Sequence, residues 1–152
     1  MQRPYSYMLL FMKTIRETFD KSERLSSRKI IETLFETGKI FHNYLFKVVW
    51  DLSEYPSGFP AQVAFSVSKR GFRLSVTRNL IRRRMREVYR KNKRLLYEHL
   101  IAQNIQIVFV VILKGNTVPD YLNIEKSIKE VINKLIAVTS QKSEDRSQKS
   151  LG

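Results

Sequence analysis

The chain has 152 residues, with 28 lysines and arginines against 14 aspartates and glutamates, and therefore a formal net charge of +14. Its hydrophobic fraction of 43% with 11% aromatics is ordinary for one globular domain, which excludes disorder throughout. The lack of cysteine excludes a disulfide scaffold, a thiolate zinc site and a cysteine nucleophile, and it fits a reducing compartment. No apolar run approaches the ~20 residues of a membrane span, so we expect a soluble protein.

Composition divides the chain into three parts. Residues 1–23 are predicted to be an extended, flexible tail without the apolar core of a secretory signal, and Met12 would serve as an alternative start. Residues 24–138 are predicted to form a single domain. Residues 139–152 are rich in serine, glutamine and charge and are predicted to be disordered.

The first half of the domain predicts one helix followed by three strands. Apolar residues at helical spacing lie between a serine cap and Gly38, and aromatic and β-branched residues at period two follow. A segment with two prolines and a glycine predicts a turn before the third strand. The predicted bounds are Ser26–Thr37 for the helix, Lys39–Phe41 and Tyr44–Leu52 for two strands, Ser53–Pro60 for the turn and Ala61–Ser68 for the third strand.

The second half predicts a long helix, a buried strand and a last helix. Thr77 to about Leu100 places Ile81, Met85, Val88, Tyr89, Leu95 and Leu96 on one stripe. Ile105–Leu113 is nearly all apolar, as expected of a central strand, and Pro119-Asp120 opens a helix to about Val138. The order α-β-β-β-α-β-α predicts an α/β (α+β) two-layer sandwich on a small mixed four-stranded sheet.

The positive charge is concentrated in one segment. Between Lys69 and Arg94 there are twelve basic residues and one acid, Glu87, a local net charge of +11. A merely solvated helical face usually mixes signs, and arginine forks bind phosphate, so this segment predicts a nucleic-acid interface. Asn79 has a second reading, because Asn79 or Thr77 could simply cap the helix.

The strand residues allow two interpretations of the sheet. Phe46 and Trp50 could form a base-stacking platform, or they could belong to the core. Lys47 and Val49 lie on the opposite strand face and could line an open groove. On the third strand, Ser66 and Ser68 would complete that groove.

No constellation predicts catalysis by side chains. The chain lacks a Gly-rich phosphate loop, a nucleophile elbow and clustered carboxylates. The nearest acidic pair is Asp51 with Glu54. His42 and His99 are predicted to be surface or capping residues, so neither a catalytic residue nor a metal site is expected.

The motif Ser66-Val67-Ser68-Lys69-Arg70, followed by Arg78-Asn79 at the start of a basic helix, makes this sequence resemble the family of protein subunits of bacterial ribonuclease P. The resemblance covers roughly Arg24 to Val138. That family has a strand ending in Ser-x-Ser-Lys-Lys or similar, a loop, Ala-Val, and then Arg-Asn-Arg opening a basic helix. Leu80 replaces the third residue of Arg-Asn-Arg, and Ser75 replaces the usual alanine. The matching residues are Ser66-Val67-Ser68-Lys69-Arg70, Ser75-Val76, Arg78-Asn79-Leu80-Ile81-Arg82-Arg83, Arg86-Glu87 and Tyr89-Arg90, preceded by Arg24-Leu25, Leu34-Phe35 and Gly38.

The resemblance implies a function and a site. A catalytic RNA subunit with bound Mg²⁺ would remove the 5′ leader of precursor tRNA in the bacterial cytoplasm, and this protein would assist by binding both RNAs. It also implies a left-handed β-α-β crossover and a ribosomal-protein-S5-domain-2-like fold. Contacts to the catalytic RNA are assigned to Lys69, Arg70, Arg73, Arg78, Asn79, Arg82, Arg83, Arg86 and Arg90. The single-stranded leader is assigned to a groove with Ile31, Phe35 and Val49, to which Lys47, Ser66 and Ser68 are added from the strand pattern.

Two other readings remain open from the residues. A ribosomal or ribosome-assembly RNA-binding protein without enzymatic role would use the same basic helix. A DNA-binding regulator is disfavoured, because the chain shows neither a helix-turn-helix nor a dimer zipper to set half-site spacing.

Overall fold

The computed structural model describes residues 18–53 and 58–151, with side chains as far as Ser140. A short 3-10 helix at Lys21–Glu23 precedes helix α1 (Arg28–Thr37). Strands β1 (Lys39–His42), β2 (Phe46–Leu52) and β3 (Ala61–Ser66) follow. Helices α2 (Ser75–Asn92) and α3 (Arg94–Gln103) then lead to strand β4 (Ile107–Leu113) and helix α4 (Tyr121–Leu151). The predicted order of elements is confirmed, with the long basic helix divided in two.

The four strands form one mixed sheet in the order β1-β2-β4-β3. β1, β2 and β4 are antiparallel neighbours, and β3 runs parallel to β4 at the edge. A parallel pair needs a crossover, and α2 with α3 supplies it. The basic helix is therefore tied to the end of an edge strand.

The larger core lies between one face of the sheet and helices α2, α3 and α4. Phe46 and Trp50 of β2 and Phe109 of β4 point into it and are at most 3% exposed. The inner stripe of α2 packs on them through its buried Ile81, Met85, Val88 and Tyr89. The base-stacking interpretation of Phe46 and Trp50 is therefore wrong, because the helices cover both rings.

Helix α1 lies on the opposite face of the sheet. Ser27 caps its start by accepting a hydrogen bond from the Ile30 amide. Leu34 packs on Val49 and Val110 in a smaller apolar cluster. Gly38 ends the helix, and a Cβ there would lie 2.8 Å from Val49 Cγ1 and closer still to the Leu34 carbonyl oxygen. The absence of a side chain thus lets α1 sit close to the sheet.

The predicted single helix over Thr77 to Leu100 is wrong in its continuity. It begins earlier, at Ser75, and it breaks at Lys93, whose side chain is buried. Beyond the break, one residue of the predicted stripe is not buried. Leu95, predicted to be in the core, is 63% exposed, whereas Leu96 and Leu100 are fully buried.

In the described residues, regular structure extends on both sides of the predicted domain limits of 24 and 138. Residues 18–23 pack on the domain through Phe19 and the fully buried Glu23, while Met12 lies outside the described residues. At the other end α4 continues past Val138 to Leu151, and Thr139 is fully buried. The Thr139 hydroxyl donates to the Leu135 carbonyl at 2.7 Å and lies 2.9 Å from His99 Nε2.

Four strand bounds also differ from the prediction. β1 ends at His42 instead of Phe41, and β4 begins at Ile107 instead of Ile105. β2 begins at Phe46, because Asn43 Oδ1 accepts hydrogen bonds from the Leu45 and Phe46 amides and forms the turn from β1. β3 ends at Ser66 instead of Ser68. Most of the turn predicted between β2 and β3, residues 54–57, lies outside the described residues.

Candidate RNA interface

The basic loop, residues 68–73, joins β3 to α2 through a tight turn. Ser68 Oγ accepts from the Gly71 amide at 3.0 Å, and the Phe72 amide donates to the Ser68 carbonyl at 3.1 Å. A Cβ at Gly71 would lie 2.7 Å from the carbonyl oxygen of Gly115, so the loop also approaches the segment after β4 closely. With Phe72 buried, the loop holds its basic side chains outward, and Lys69, Arg70 and Arg73 are exposed.

Arg78 holds this loop in place. Its Nη1 donates to the Phe72 and Arg73 carbonyls, each at 2.8 Å. Arg78 was predicted as an RNA contact, and its geometry adds a structural task. It ties the start of α2 to the backbone of the basic loop.

Arginines spaced by four residues form the arginine row of α2, which consists of Arg78, Arg82, Arg86 and Arg90. Residues four apart are neighbours on a helix surface, and this row borders the buried stripe. Leu80 falls outside the row, so the replacement of the family arginine there does not interrupt it.

Asn79 and Thr77 do not cap the helix. Leu74 occupies the N-cap position and makes no side-chain cap hydrogen bond. Asn79 Oδ1 instead accepts a hydrogen bond from Arg82 Nη2. The exposed Asn79 therefore orients one arginine of the row.

The charge of the row is balanced only at its end. Arg90 donates to the Glu87 carboxylate at 2.6 and 3.2 Å, and Lys91 lies 3.6 Å from the same carboxylate. The hydrogen bond from Arg90 is the main cause that lowers the pKa of Glu87. Glu87 therefore compensates part of the positive charge of Arg90.

The remaining predicted contacts carry no acidic partner in the part of the chain that the structure describes. Burial lowers the pKa of Arg86, and the neighbouring cations Arg24 and Arg82 lower it further. Like charges gathered without compensation form a surface that attracts a polyanion. This surface consists of Lys69, Arg70, Arg73, Arg78, Arg82, Arg83 and Arg86.

Arg24 belongs beside this surface, and sequence reasoning left it out of the site. Its backbone pairs with Val63 at the open edge of β3, and its guanidinium lies 5.5 Å from the Phe19 ring centre. Arg24 stands outside the run of basic residues in the sequence. Only the folding of residues 18–25 onto β3 brings it to α2.

The predicted groove lies on the sheet face that carries α1, and only part of it is open. Register places Lys47, Ile112 and Ser66 side by side across β2, β4 and β3, and we call these three residues the open sheet row. All three are partly exposed, and Ile112 is a member that the sequence analysis missed. Ile112 was not predicted because it lies in an almost wholly apolar strand, whose sequence does not distinguish an exposed position from a buried one.

The α1 side of the groove is apolar. Ile31 is half-buried against the smaller cluster, and Phe35 is 51% exposed. Apolar and aromatic side chains beside a lysine and a hydroxyl suit unpaired bases on a charged backbone. The sheet and α1 together thus offer a candidate single-strand site.

Two of the predicted groove residues are placed elsewhere. Val49 is 1% exposed, because Leu34 of α1 covers it, so it supports the helix and does not line an open surface. Ser68 lies beyond the end of β3, where its hydroxyl shapes the basic loop.

Among the residues with described side chains, the acidic and histidine groups do not form a reactive cluster. Asp51 pairs with Lys39 at 3.1 Å, while Glu54 lies outside the described residues. His42 is exposed on β1, and burial lowers the pKa of His99. Within the described ranges, no three His, Asp or Glu side chains meet as metal ligands would. No helix in the described part of the chain is both long and apolar enough to cross a membrane.

Comparison with known proteins agrees with this geometry. The family model described as Ribonuclease P matches residues 19–136. The ribonuclease P protein component of Porphyromonas gingivalis is 36% identical over 111 residues, which cover 72% of this chain and 80% of that protein. The same component of Geobacter sp. is 35% identical over 117 residues, covering 77% of this chain and 91% of that protein.

Two solved structures share the fold. The RNase P protein from Thermotoga maritima aligns with a TM-score of 0.60 at 20% identity, covering 74% of this chain and 96% of that chain. The RNase P protein of Staphylococcus aureus aligns with a TM-score of 0.59 at 21% identity, covering 74% and 94%. Because the family model spans most of its length, the chain belongs to the family of ribonuclease P protein components, the protein part of a ribonucleoprotein endoribonuclease.

Proposed function

We propose that the protein binds two RNAs at once during the removal of the 5′ leader from precursor tRNA. The basic loop and the arginine row would bind the catalytic RNA subunit. The groove beside α1 would bind the single-stranded leader of the precursor. The protein would thereby hold the substrate against the RNA that cleaves it.

The observation that best supports this proposal is the uncompensated positive charge of the basic loop and the arginine row. Of the arginine row, only Arg90 has an acidic partner among the described residues. Phosphate contacts supply much of the affinity for RNA, and forked guanidinium groups suit them. Arg78 and Gly71 hold the backbone of the basic loop in place, so this backbone loses little conformational entropy when RNA binds.

The leader site is supported by the different character of the second surface. Lys47 is the only charged member of the open sheet row, and the exposed ring of Phe35 lies on the same side of the sheet. Stacking and apolar contacts tolerate any base sequence. This fits a leader whose sequence differs from one precursor tRNA to another.

The chemistry is proposed to reside in the RNA subunit. Mg²⁺ held by that RNA would supply the attacking water and stabilise the leaving oxygen. The side chains of this protein would bind, orient and neutralise charge. The proposed partners are made in the bacterial cytoplasm, and we place the protein there.

The test is cleavage of a precursor tRNA by the organism's own ribonuclease P RNA at low Mg²⁺, with and without the protein. A large protein-dependent gain with a mature 5′ end is expected. RNA affinity should also fall by ~10³–10⁵ between 50 and 200 mM salt if six to ten phosphates are contacted. No gain in cleavage, despite salt-sensitive RNA binding, would refute the proposal and favour a role in ribosome assembly.

One variant of the groove, with a matched control, tests the assignment of the groove to the leader. Lys47→Ala should weaken binding of the precursor to the holoenzyme and leave mature tRNA binding unchanged, because only the precursor carries a leader. Lys134→Ala removes one exposed charge from α4 and is the matched control. Equal loss with precursor and mature tRNA would contradict the assignment of the groove to the leader.

A further inference from the structure

We propose that Arg24 is an RNA-phosphate-binding residue that works together with Arg82 and Arg86. The inference rests on the proposed function and extends it to a segment outside the basic run. The ligand is a phosphodiester of an RNA backbone, from either the RNA subunit or the precursor.

The first argument is the position of Arg24 at the edge of the sheet. Its backbone forms a parallel bridge with Val63, and the next amide, that of Leu25, donates to the Val63 carbonyl at 2.9 Å. Arg24 thus adds a single bridge to the open edge of β3, outside the four-stranded sheet. Its side chain is exposed although both sequence neighbours are buried.

The second argument is the anchoring of the residues around it. Glu23 is fully buried, where its carboxylate pairs with Lys93 and accepts from the Tyr97 hydroxyl at 2.6 Å. On the other side, Leu25 is 5% exposed in the smaller cluster. With both neighbours fixed, the position of the Arg24 backbone is set before any ligand arrives.

The third argument is the route from Arg24 to α2. The guanidinium lies over the Phe19 ring, and that ring contacts Tyr89 with 5.8 Å between ring centres. Tyr89 follows Arg86 by three residues and is its neighbour on the helix surface. Phe19 therefore supports Arg24 at the level of Arg86.

The fourth argument concerns the charges of Arg24, Arg82 and Arg86. Arg24 and Arg82 both lower the pKa of Arg86, after the larger effect of burial. No salt bridge in the described ranges involves any of these three arginines. Cations from two separate segments that converge without an acid favour an anion between them, and forked donors suit a phosphate.

The experiment measures the affinity of the full-length protein for the ribonuclease P RNA across a salt series. Loss of one phosphate contact should lower the slope of log affinity against log salt by about one and weaken binding roughly tenfold at 0.1 M salt. Arg24→Ala should show both effects, and Arg24→Lys should restore the slope but only part of the affinity. Lys134→Ala, with the same loss of charge, should show neither.

A second arm identifies the source of the phosphate. If Arg24→Ala lowers the affinity for the isolated RNA subunit, the phosphate belongs to that RNA. Loss confined to precursor binding by the assembled holoenzyme assigns it to the substrate. Either result supports the inference, provided that circular dichroism and the melting temperature show Arg24→Ala to be folded like wild type.

The inference is overturned if Arg24→Ala matches wild type in both arms while wild type binds RNA and stimulates cleavage. It is overturned too if Arg24→Ala weakens binding only in proportion to a loss of folded protein. If wild type itself neither binds nor stimulates the RNA, the proposed function fails and the inference falls with it.

Discussion

The buried ion pair of Glu23 and Lys93 leads to a sharp prediction about stability. Both side chains are at most 3% exposed, and the two residues are 70 positions apart in the chain. The carboxylate also accepts from the Tyr97 hydroxyl and, through Oε2, from the Asp20 amide at 2.7 Å. Glu23→Gln keeps the shape of the side chain but removes its charge and replaces one acceptor oxygen by an NH2 donor, which leaves Lys93 buried without a counter-ion.

Removing one partner of a buried ion pair costs about 3–5 kcal/mol. A domain of this size has a total stability of about 5–15 kcal/mol, so the loss is a large fraction of it. Because glutamine keeps one acceptor oxygen and its NH2 group must face a donor in place of the other, we expect the middle of this range, ~4 kcal/mol. The melting temperature should then fall by roughly 10–15 °C.

The matched control is Glu98→Gln, which breaks an exposed pair with Arg94 at i,i+4. Such pairs contribute about 0.3–0.5 kcal/mol. Urea unfolding followed by circular dichroism at pH 7 measures both variants. Equal losses in Glu23→Gln and Glu98→Gln would refute the claim that residues 18–23 belong to the fold through this pair.

Two other predictions concern Arg78 and His99. Arg78→Ala should lower the free energy of unfolding by about 1–2 kcal/mol, because two hydrogen bonds to loop carbonyls are lost, and it should also weaken RNA binding. Replacing the exposed Arg83 by alanine should weaken RNA binding without lowering stability, and equal melting temperatures for the two variants would contradict the structural role of Arg78. His99 has its pKa lowered by burial, so the unfolded chain binds its proton more readily. Stability from this group is therefore present above about pH 6.5 and lost as the pH falls below it. Melting temperatures from pH 7.5 to 5.5 should decline less in His99→Gln than in wild type, and parallel declines would contradict the assignment.

Local features of the fold and of the basic surface were predictable from the sequence. Period-two and period-3.6 apolar spacing predicted the strands and helices because each side chain's direction depends only on its neighbours in the chain. The uncompensated arginines of α2 were predictable for the same reason. A helix keeps residues four apart together, so a charge stripe in the sequence becomes a charged face.

The errors concern interactions between distant parts of the chain. Val49 and Ile112 are adjacent to groove residues in the sheet, yet which of them α1 covers depends on how that helix lies across three strands. Lys93 lies at the break between α2 and α3, and its buried partner, Glu23, is 70 positions away in the chain. Local spacing contains no information about such a partner.

By itself, therefore, the sequence determined that this protein is one basic α+β domain with an arginine-lined helix, and its motifs indicated the ribonuclease P family. Tertiary structure alone decided which basic residues have no acidic partner among the described residues and which hold the protein together. Arg24 lies beside the basic surface although it is distant from α2 in the sequence, while Arg78 donates hydrogen bonds to the loop backbone. The physical reason is that burial and charge compensation depend on distance in space, which the chain acquires only on folding.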